Sequence, residues 1–195
     1  HGTAFSPEFQ FKYPAQGPVV GAKAIGVFGQ MSLHGKQRST WTRLAQPALV
    51  GQTSLMLINS VDWNLNDTIV VTSTSFDPSE TEVFRVVSVS GAVVTLNATL
   101  KYNHTAERET IGTLSYSVRA EVGLLTRNIV IQGDQSTTGF GCRVLIGTYR
   151  DVSGTIYTGS AQIVGVEISG CGQLGYNEAY DPRYSLAFLD TFSNN

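Results

Sequence analysis

The sequence predicts an all-β protein, a module of β-strand pairs that continues into a right-handed parallel β-helix open at its C-terminal end. Three observations carry that prediction. Only 14% of the 195 residues are charged, against roughly 25% in an average soluble protein, and the abundant Gly, Ser, Thr and Val favour strands and turns over helices. Apolar runs of strand length recur, several of them closed by Gly, Asn or Asp. Four such runs in the last third, centred on Val130, Leu145, Val164 and Leu186, follow one another at 15, 19 and 22 residues with turn-rich loops between them. That recurrence is expected of successive coils, which bury their faces only by stacking on neighbours.

Residues 1–20 hold Pro7, Pro14 and Pro18 with Phe5, Phe9, Phe11 and Tyr13 between them, a pattern that blocks helix and predicts an extended arm stapled to the body by its aromatics. From Ala24, the residues Ile25, Val27, Met31 and Leu33 predict short strands punctuated by Gly26, Gly29 and Gly35. His34 reads as a turn histidine at a strand end, since no second His or Cys stands at metal-ligand spacing; no metal site is expected. Trp41 reads as a core or rim aromatic, and Ser54 to Asn59 as a strand. Asp67, just ahead of the apolar run Thr68 to Thr72, is placed to tie up turn amides with its carboxylate.

Glu80 and Glu82 precede Val83 to Val89, which pairs with Ala92 to Leu96 across Ser90-Gly91 as a hairpin. The two glutamates read as a solvated strand entrance, with half of a catalytic carboxylate pair as the functional alternative. Ala106 to Thr110 is the only charged patch able to make a helical turn, and Leu114 to Val118 is a strand.

The stretch Arg119 to Asp134 organises the rest. Arg119, Glu121, Arg127 and Asp134 flank an apolar run, and Ile129-Val130-Ile131 lacks polar alternation, as a strand covered on both faces does. This stretch is where the N-terminal β-domain hands over to the stacked coils, giving an arm over 1–20, a β-domain over 21–133 and β-helix coils over 134–195.

A net charge of -2 without a Lys/Arg cluster excludes the electrostatic footprint of a nucleic-acid binder. No apolar run approaches the ~20 residues that span a bilayer, so an anchor would lie outside this piece, and a start at His1 points to a processed or excised segment. Cys142 and Cys171 fit either one disulfide or two buried thiols; a bridge is feasible where they fall on adjacent coils. Asn66, Asn97 and Asn103 open glycosylation sequons.

Several segments, taken together, resemble the eight-glycine (G-eight) domain followed by parallel β-helix repeats of fibrocystin-like proteins and of the cell-surface hyaluronidases of the cell-migration-inducing type. They are Leu33-His34-Gly35-Lys36 with Trp41-Thr42, Trp63 leading to Asp67 through Thr74, Glu82, Leu96 to His104, and above all Arg119 through Ile129. Asp181-Pro182-Arg183-Tyr184 after Gly170-Cys171-Gly172-Gln173 is similar to the fibrocystin-like branch in particular. The resemblance implies a glycosylated extracellular or cell-surface ectodomain, with Arg119, Glu121 and Arg127 in a buried ion-pair network that welds the module to the first coil. It further implies a structural or interaction role, possible contact with glycans, and a partner, either more of the parent chain or another protein, stacking on the open end. The alternative it implies is a fragment that binds or cleaves an acidic polysaccharide such as hyaluronan, with Glu121 and Asp134 as candidate acids and calcium as the cofactor in that case alone. The hyaluronan-degrading branch carries a histidine-bearing strand where this chain reads Tyr184-Ser185-Leu186-Ala187-Phe188, which favours the non-enzymatic branch.

Overall fold

The computed structural model describes Val20 and residues 23–134, 139–174 and 183–189; apart from Val20, the expected N-terminal arm lies outside them. In chain order the strands are β1 (Ala24–Val27), β2 (Gln30–His34), β3 (Trp41–Arg43), β4 (Ser54–Met56), β5 (Thr68–Val71), β6 (Glu82–Ser90), β7 (Val93–Leu96), β8 (Ala106–Ile111) and β9 (Leu114–Arg119). They continue with β10 (Glu121–Leu124), β11 (Ile129–Gln132), β12 (Arg143–Arg150), β13 (Ile156–Thr158), β14 (Ser160–Val164), β15 (Val166–Ser169) and β16 (Leu186–Leu189). Among the described residues the helical content is one 3-10 turn, Pro78–Glu80. The chain is all-β, and it divides into two compact units, Gln37–Thr126 and a second made of His1–Lys36 with Arg127–Asn195.

In the unit Gln37–Thr126 six antiparallel strands run in the order β3-β10-β5-β6-β7-β4. The two end strands meet: Leu44 stands opposite Leu57, the Ala45 N–H donates to the Met56 carbonyl at 2.8 Å, and the Ile58 N–H donates to that of Arg43 at 2.9 Å. The sheet therefore closes into a barrel, which removes its free edges. Period-2 alternation fills the interior. On β6, Glu82, Phe84 and Val86 point inward while Val83 and Arg85 point out, and Leu44, Leu57, Ile69, Val94 and Val122 close around them in one cluster. The β6–β7 hairpin turns at Gly91, whose φ of +62° is the left-handed conformation that glycine adopts without a Cβ clash.

The charged patch Ala106 to Thr110 is β8, not a helical turn. It pairs along its whole length with β9, because the two-residue turn Gly112-Thr113, with Gly112 at φ +63°, suits a hairpin of twisted strands.

The second unit is built from parallel ladders. β1 pairs with β12 and β12 with β16, β2 pairs with β14, and β11 pairs with β15; Cys142 and Cys171 add a parallel bridge. Strands β1, β2 and β11 form one coil, β12, β14 and β15 the next, and β16 begins a third, which is the ladder pattern of a parallel β-helix. Among the described residues no strand pairs with the far side of β14 or β15. The core is apolar, with Val27, Val144 and Ile146 in one cluster and Leu145, Ala187 and Leu189 in another.

Three expectations need correction. The β-helix does not begin at residue 134, because β1 and β2 already belong to its first coil. The barrel is instead a chain insertion between β2 and β11. The insertion leaves where Gly35 donates to the Val164 carbonyl at 2.8 Å and returns where the Asn128 Oδ1 accepts the Lys36 N–H at 2.6 Å. Any Cβ on Gly35 would press into the Gly165 carbonyl. The runs centred on Val130, Leu145 and Val164 are likewise different faces of the helix rather than successive coils. One full coil separates Leu145 from its partner Ala187 and Val130 from its partner Glu167. Finally, β11 is not covered on both faces: Val130 is 47% exposed, as an outward residue of a coil strand must be.

Candidate functional site

Glu121 lies on β10 with outward parity, between the buried Ala120 and Val122. Its Oε1 accepts from Arg43 Nη2 at 3.0 Å, both side chains being about half exposed. The Arg43 guanidinium also stands 5.4 Å from the Trp41 ring centroid; Trp41 is a rim aromatic, 57% exposed. Arg119 donates from Nη1 to the Leu44 and Ala45 carbonyls, both at 2.8 Å. The buried network expected of Arg119 and Glu121 is thus replaced by a surface pair with Arg43 and a backbone clamp, because alternation on β10 sends Glu121 outward. A surface pair of this kind contributes at most about 1 kcal/mol. Arg127 is half-buried in the second unit.

The buried polar centre of the barrel is Glu82 with His104, the latter 0% exposed. His104 Nε2 lies 3.0 Å from Glu82 Oε2, and its Nδ1 lies 3.0 Å from the Thr72 carbonyl. The Glu82 carboxylate also accepts the Lys101 and Tyr102 N–H groups at 2.9 and 3.3 Å. Glu82 is not a solvated strand entrance, and its partner is a histidine rather than a second acid. A signal existed in the sequence: Glu82 shares the parity of Phe84 and Val86, which marks the inward face.

A second buried pair closes the turn before β5. Asp67 Oδ2 accepts from Arg38 Nη2 at 2.7 Å and from the Asn64 N–H at 2.6 Å, and Trp63 Nε1 donates to the Ser39 carbonyl at 2.7 Å. Burial alone would raise the Asp67 pKa, but the Arg38 hydrogen bonds and charge, with the Asn64 N–H, bring it below the ordinary carboxylate value. The same hydrogen bond holds the Arg38 guanidinium above its ordinary value.

In the second unit Asp134 accepts from Lys23 Nζ at 3.0 Å, and that ammonium also donates to the Phe140 carbonyl at 3.1 Å and faces the Phe140 ring. Asp134 lines a cleft of about 450 Å³ with Phe140, Gln173, Arg183 and Tyr184. Arg183 is 5% exposed and Gln173 is 7% exposed, and Gln173 Nε2 has no hydrogen-bond partner among the described residues. Cys142 and Cys171, on neighbouring coils, are joined by a disulfide at the cleft wall. Among the described residues no three His, Cys, Asp or Glu side chains gather as metal ligands. The sequon residues Asn66, Asn97 and Asn103 are all exposed; the Oδ1 atoms of Asn97 and Asn103 accept the Arg85 and Val50 N–H groups.

Comparison with known proteins adds to this geometry. Residues 7–45 match the G8 domain family. The chain is 40% identical over 198 residues to mouse fibrocystin-L, covering 97% of this chain and 5% of that protein. It is 37% identical over 150 residues to mouse fibrocystin, covering 76% of this chain and 4% of that protein. The chain belongs to the fibrocystin-like G8 proteins. It spans about a twentieth of the length of these relatives. A G8 domain-containing protein of Dictyostelium discoideum is 31% identical over 176 residues, covering 86% of this chain and 11% of its own. Among solved structures, the gp61 tailspike of Pseudomonas phage phi297 is 12% identical with a TM-score of 0.31, covering 78% of this chain and 21% of its own. The Gp54 tailspike of Acinetobacter baumannii phage AP22, solved with a capsular saccharide, is 13% identical with a TM-score of 0.33, covering 85% and 24%.

Proposed function

We propose that this chain is a structural and interaction module of a large, glycosylated, extracellular or cell-surface fibrocystin-like protein, working without catalysis. The observation that carries this reading is the engagement of the candidate acids. Glu121 is held by Arg43 and Asp134 by Lys23, each within its own unit, whereas hydrolysis of a glycosidic bond asks for two carboxyl groups set about 5–10 Å apart across a substrate. Glu82, a buried acid, is engaged by His104 and two backbone amides. What remains presented is architecture: among the described residues β14 and β15 offer unpaired ladder edges, and a further coil of the parent chain, or another protein, stacks there. Asn66, Asn97 and Asn103 carry the glycans of such an ectodomain.

A second reading, binding of an acidic polysaccharide, is favoured by the cleft. Gln173 Nε2 is a donor that a glycan carboxylate would satisfy, Arg183 lines the same cleft as a cation, and calcium belongs to this reading alone. One experiment addresses both. The chain, and its Glu121→Gln and Asp134→Asn forms, are incubated with long hyaluronan with and without calcium, and polymer size is followed on a gel. Unchanged polymer is expected throughout; shortening lost on either substitution overturns the non-enzymatic reading. Retention of the chain on immobilised hyaluronan that vanishes on Arg183→Ala would support the second.

A further inference from the structure

The β8–β9 hairpin is anchored to the barrel at its base, by Ala106 in the core cluster and by Arg119 on the Leu44 and Ala45 carbonyls. Among the described residues neither of its strands pairs with anything but the other, and every residue from Glu107 to Ser117 is exposed. The register pairs Ile111 with Leu114, Glu109 with Tyr116 and Glu107 with Val118, which puts Ile111, Leu114, Tyr116 and Val118 on one face together with Glu107 and Glu109, the apolar residues of β9 forming a row along its free edge. Ile111 is 67% exposed, Leu114 73% and Tyr116 45%. A two-stranded ribbon is marginal in water by itself, and a ribbon with free edges is a template for a further strand.

We propose that the free edge of β9 pairs with the β9 of a second copy of this chain, joining two hairpins into a four-stranded antiparallel sheet. The two edges differ in what a two-fold pairing would bring together. An isologous antiparallel pair places residue i opposite a residue of the same parity, with a central residue opposite itself. For β8, a centre at Arg108 opposes Arg108 to itself and Glu107 to Glu109, and centres at Glu107 or Glu109 oppose each glutamate to its own copy. Each of these three central registers sets like charges face to face, which is destabilising. For β9, the centre at Tyr116 opposes tyrosine to tyrosine, Ser115 to Ser117 and Leu114 to Val118, and no like charges meet. The backbone agrees. The two-residue turn makes Ile111–Leu114 a hydrogen-bonded pair, so Tyr116 and Val118 bond inward to β8 while the N–H and C=O of Ser115 and Ser117 point to the free edge. Those are the groups the Tyr116-centred register pairs, and the exposed apolar row becomes continuous across both copies.

The test is sedimentation of the 195-residue chain over a concentration series, together with Ser117→Pro, Arg108→Pro and Tyr116→Cys. Both prolines replace residues whose N–H points away from the hairpin ladder, so each leaves that ladder intact. The chain is expected to dimerise, and Ser117→Pro, which removes two symmetry-related hydrogen bonds, to raise the dimer Kd roughly thirtyfold; Arg108→Pro leaves it unchanged. In the proposed register Tyr116 meets its copy as a non-hydrogen-bonded pair at roughly 4.5 Å between Cα atoms, within disulfide reach. Tyr116→Cys should therefore cross-link under mild oxidation, and Glu109→Cys should not. A chain monomeric at every concentration whose Tyr116→Cys form stays uncross-linked overturns the proposal. So does a dimer lost on Arg108→Pro but kept on Ser117→Pro, or cross-linking through position 109 rather than 116, since both would move the contact to β8.

Discussion

Replacing His104 by alanine tests whether the barrel depends on its buried polar centre. The imidazole makes two contacts, one to the Glu82 carboxylate and one to the Thr72 carbonyl, both at 3.0 Å, in a position with no solvent access. A hydrogen bond to a charged group contributes about 1.5–3 kcal/mol and a neutral one about 1 kcal/mol. After the substitution Glu82 keeps the Lys101 and Tyr102 amides but remains a buried carboxylate without its side-chain partner, and the ring leaves a void. The expected loss is about 3–5 kcal/mol, about a fifth or more of the roughly 5–15 kcal/mol a domain has to lose. For a unit of this size that is a fall in Tm of roughly 15–30 °C. The assay is urea unfolding followed by far-UV circular dichroism, with ΔG compared at constant m-value, and amide exchange of Lys101 and Tyr102 as the local readout. A loss below about 1 kcal/mol, with exchange of those two amides unchanged, would refute the reasoning, because it would mean that the pair is solvated or unformed.

Four further outcomes follow from the geometry. Gly133→Ala puts a methyl group into the Gly170 carbonyl and close to the Cys142 nitrogen, both backbone atoms that cannot swing aside; it should destabilise the β-helix unit by about 2 kcal/mol or more, seen as a lower urea midpoint. The Cys142–Cys171 bridge spans 29 residues, so its reduction, or a double Cys→Ser form, should cost about 3–4 kcal/mol in the chain-entropy account, measured as the Tm difference with and without reductant. Because the folded Asp67 titrates below its unfolded value, its contribution is present in full above about pH 4. That contribution is lost as the pH falls through the folded value, and Asp67→Asn should remove it from the acid limb of the stability curve. When the chain is secreted from mammalian cells, each of Asn66→Gln, Asn97→Gln and Asn103→Gln should remove one glycan by intact mass; a mass equal to that of the bare polypeptide would remove the glycoprotein reading.

Strand identity was legible in the chain because it is a local property. The alternation of β6, the Gly91 turn and the apolar run of β5 each write their own periodicity, and all three elements stand where the residues place them. The Asp67 turn was legible for the same reason, since its acceptor reaches an amide only three residues away. Glu82 was misread although its parity was visible, because the cost of a buried carboxylate argues for exposure until its partner is known, and that partner stands 22 residues on.

The architecture was harder to read because a coil is defined by pairing and not by distance along the chain. Gly26 lies beside Leu145, and Leu33 beside Ile163, across an insertion that folds around its own core. No periodicity search bridges such a gap, and the steps of 15, 19 and 22 residues consequently measured movement from face to face. The residues that do record the insertion are small and scattered: Gly35, which only a missing Cβ allows against Gly165, and Asn128, whose side chain caps the departing backbone at Lys36. Their spacing is set by the length of the insertion, so neither position predicts the other. A helix whose first coil tolerates about 90 foreign residues must draw its stability from the coil-to-coil ladders rather than from continuity of the chain. The far sides of β14 and β15, unpaired among the described residues, are therefore where this unit has the most to gain from whatever stacks next.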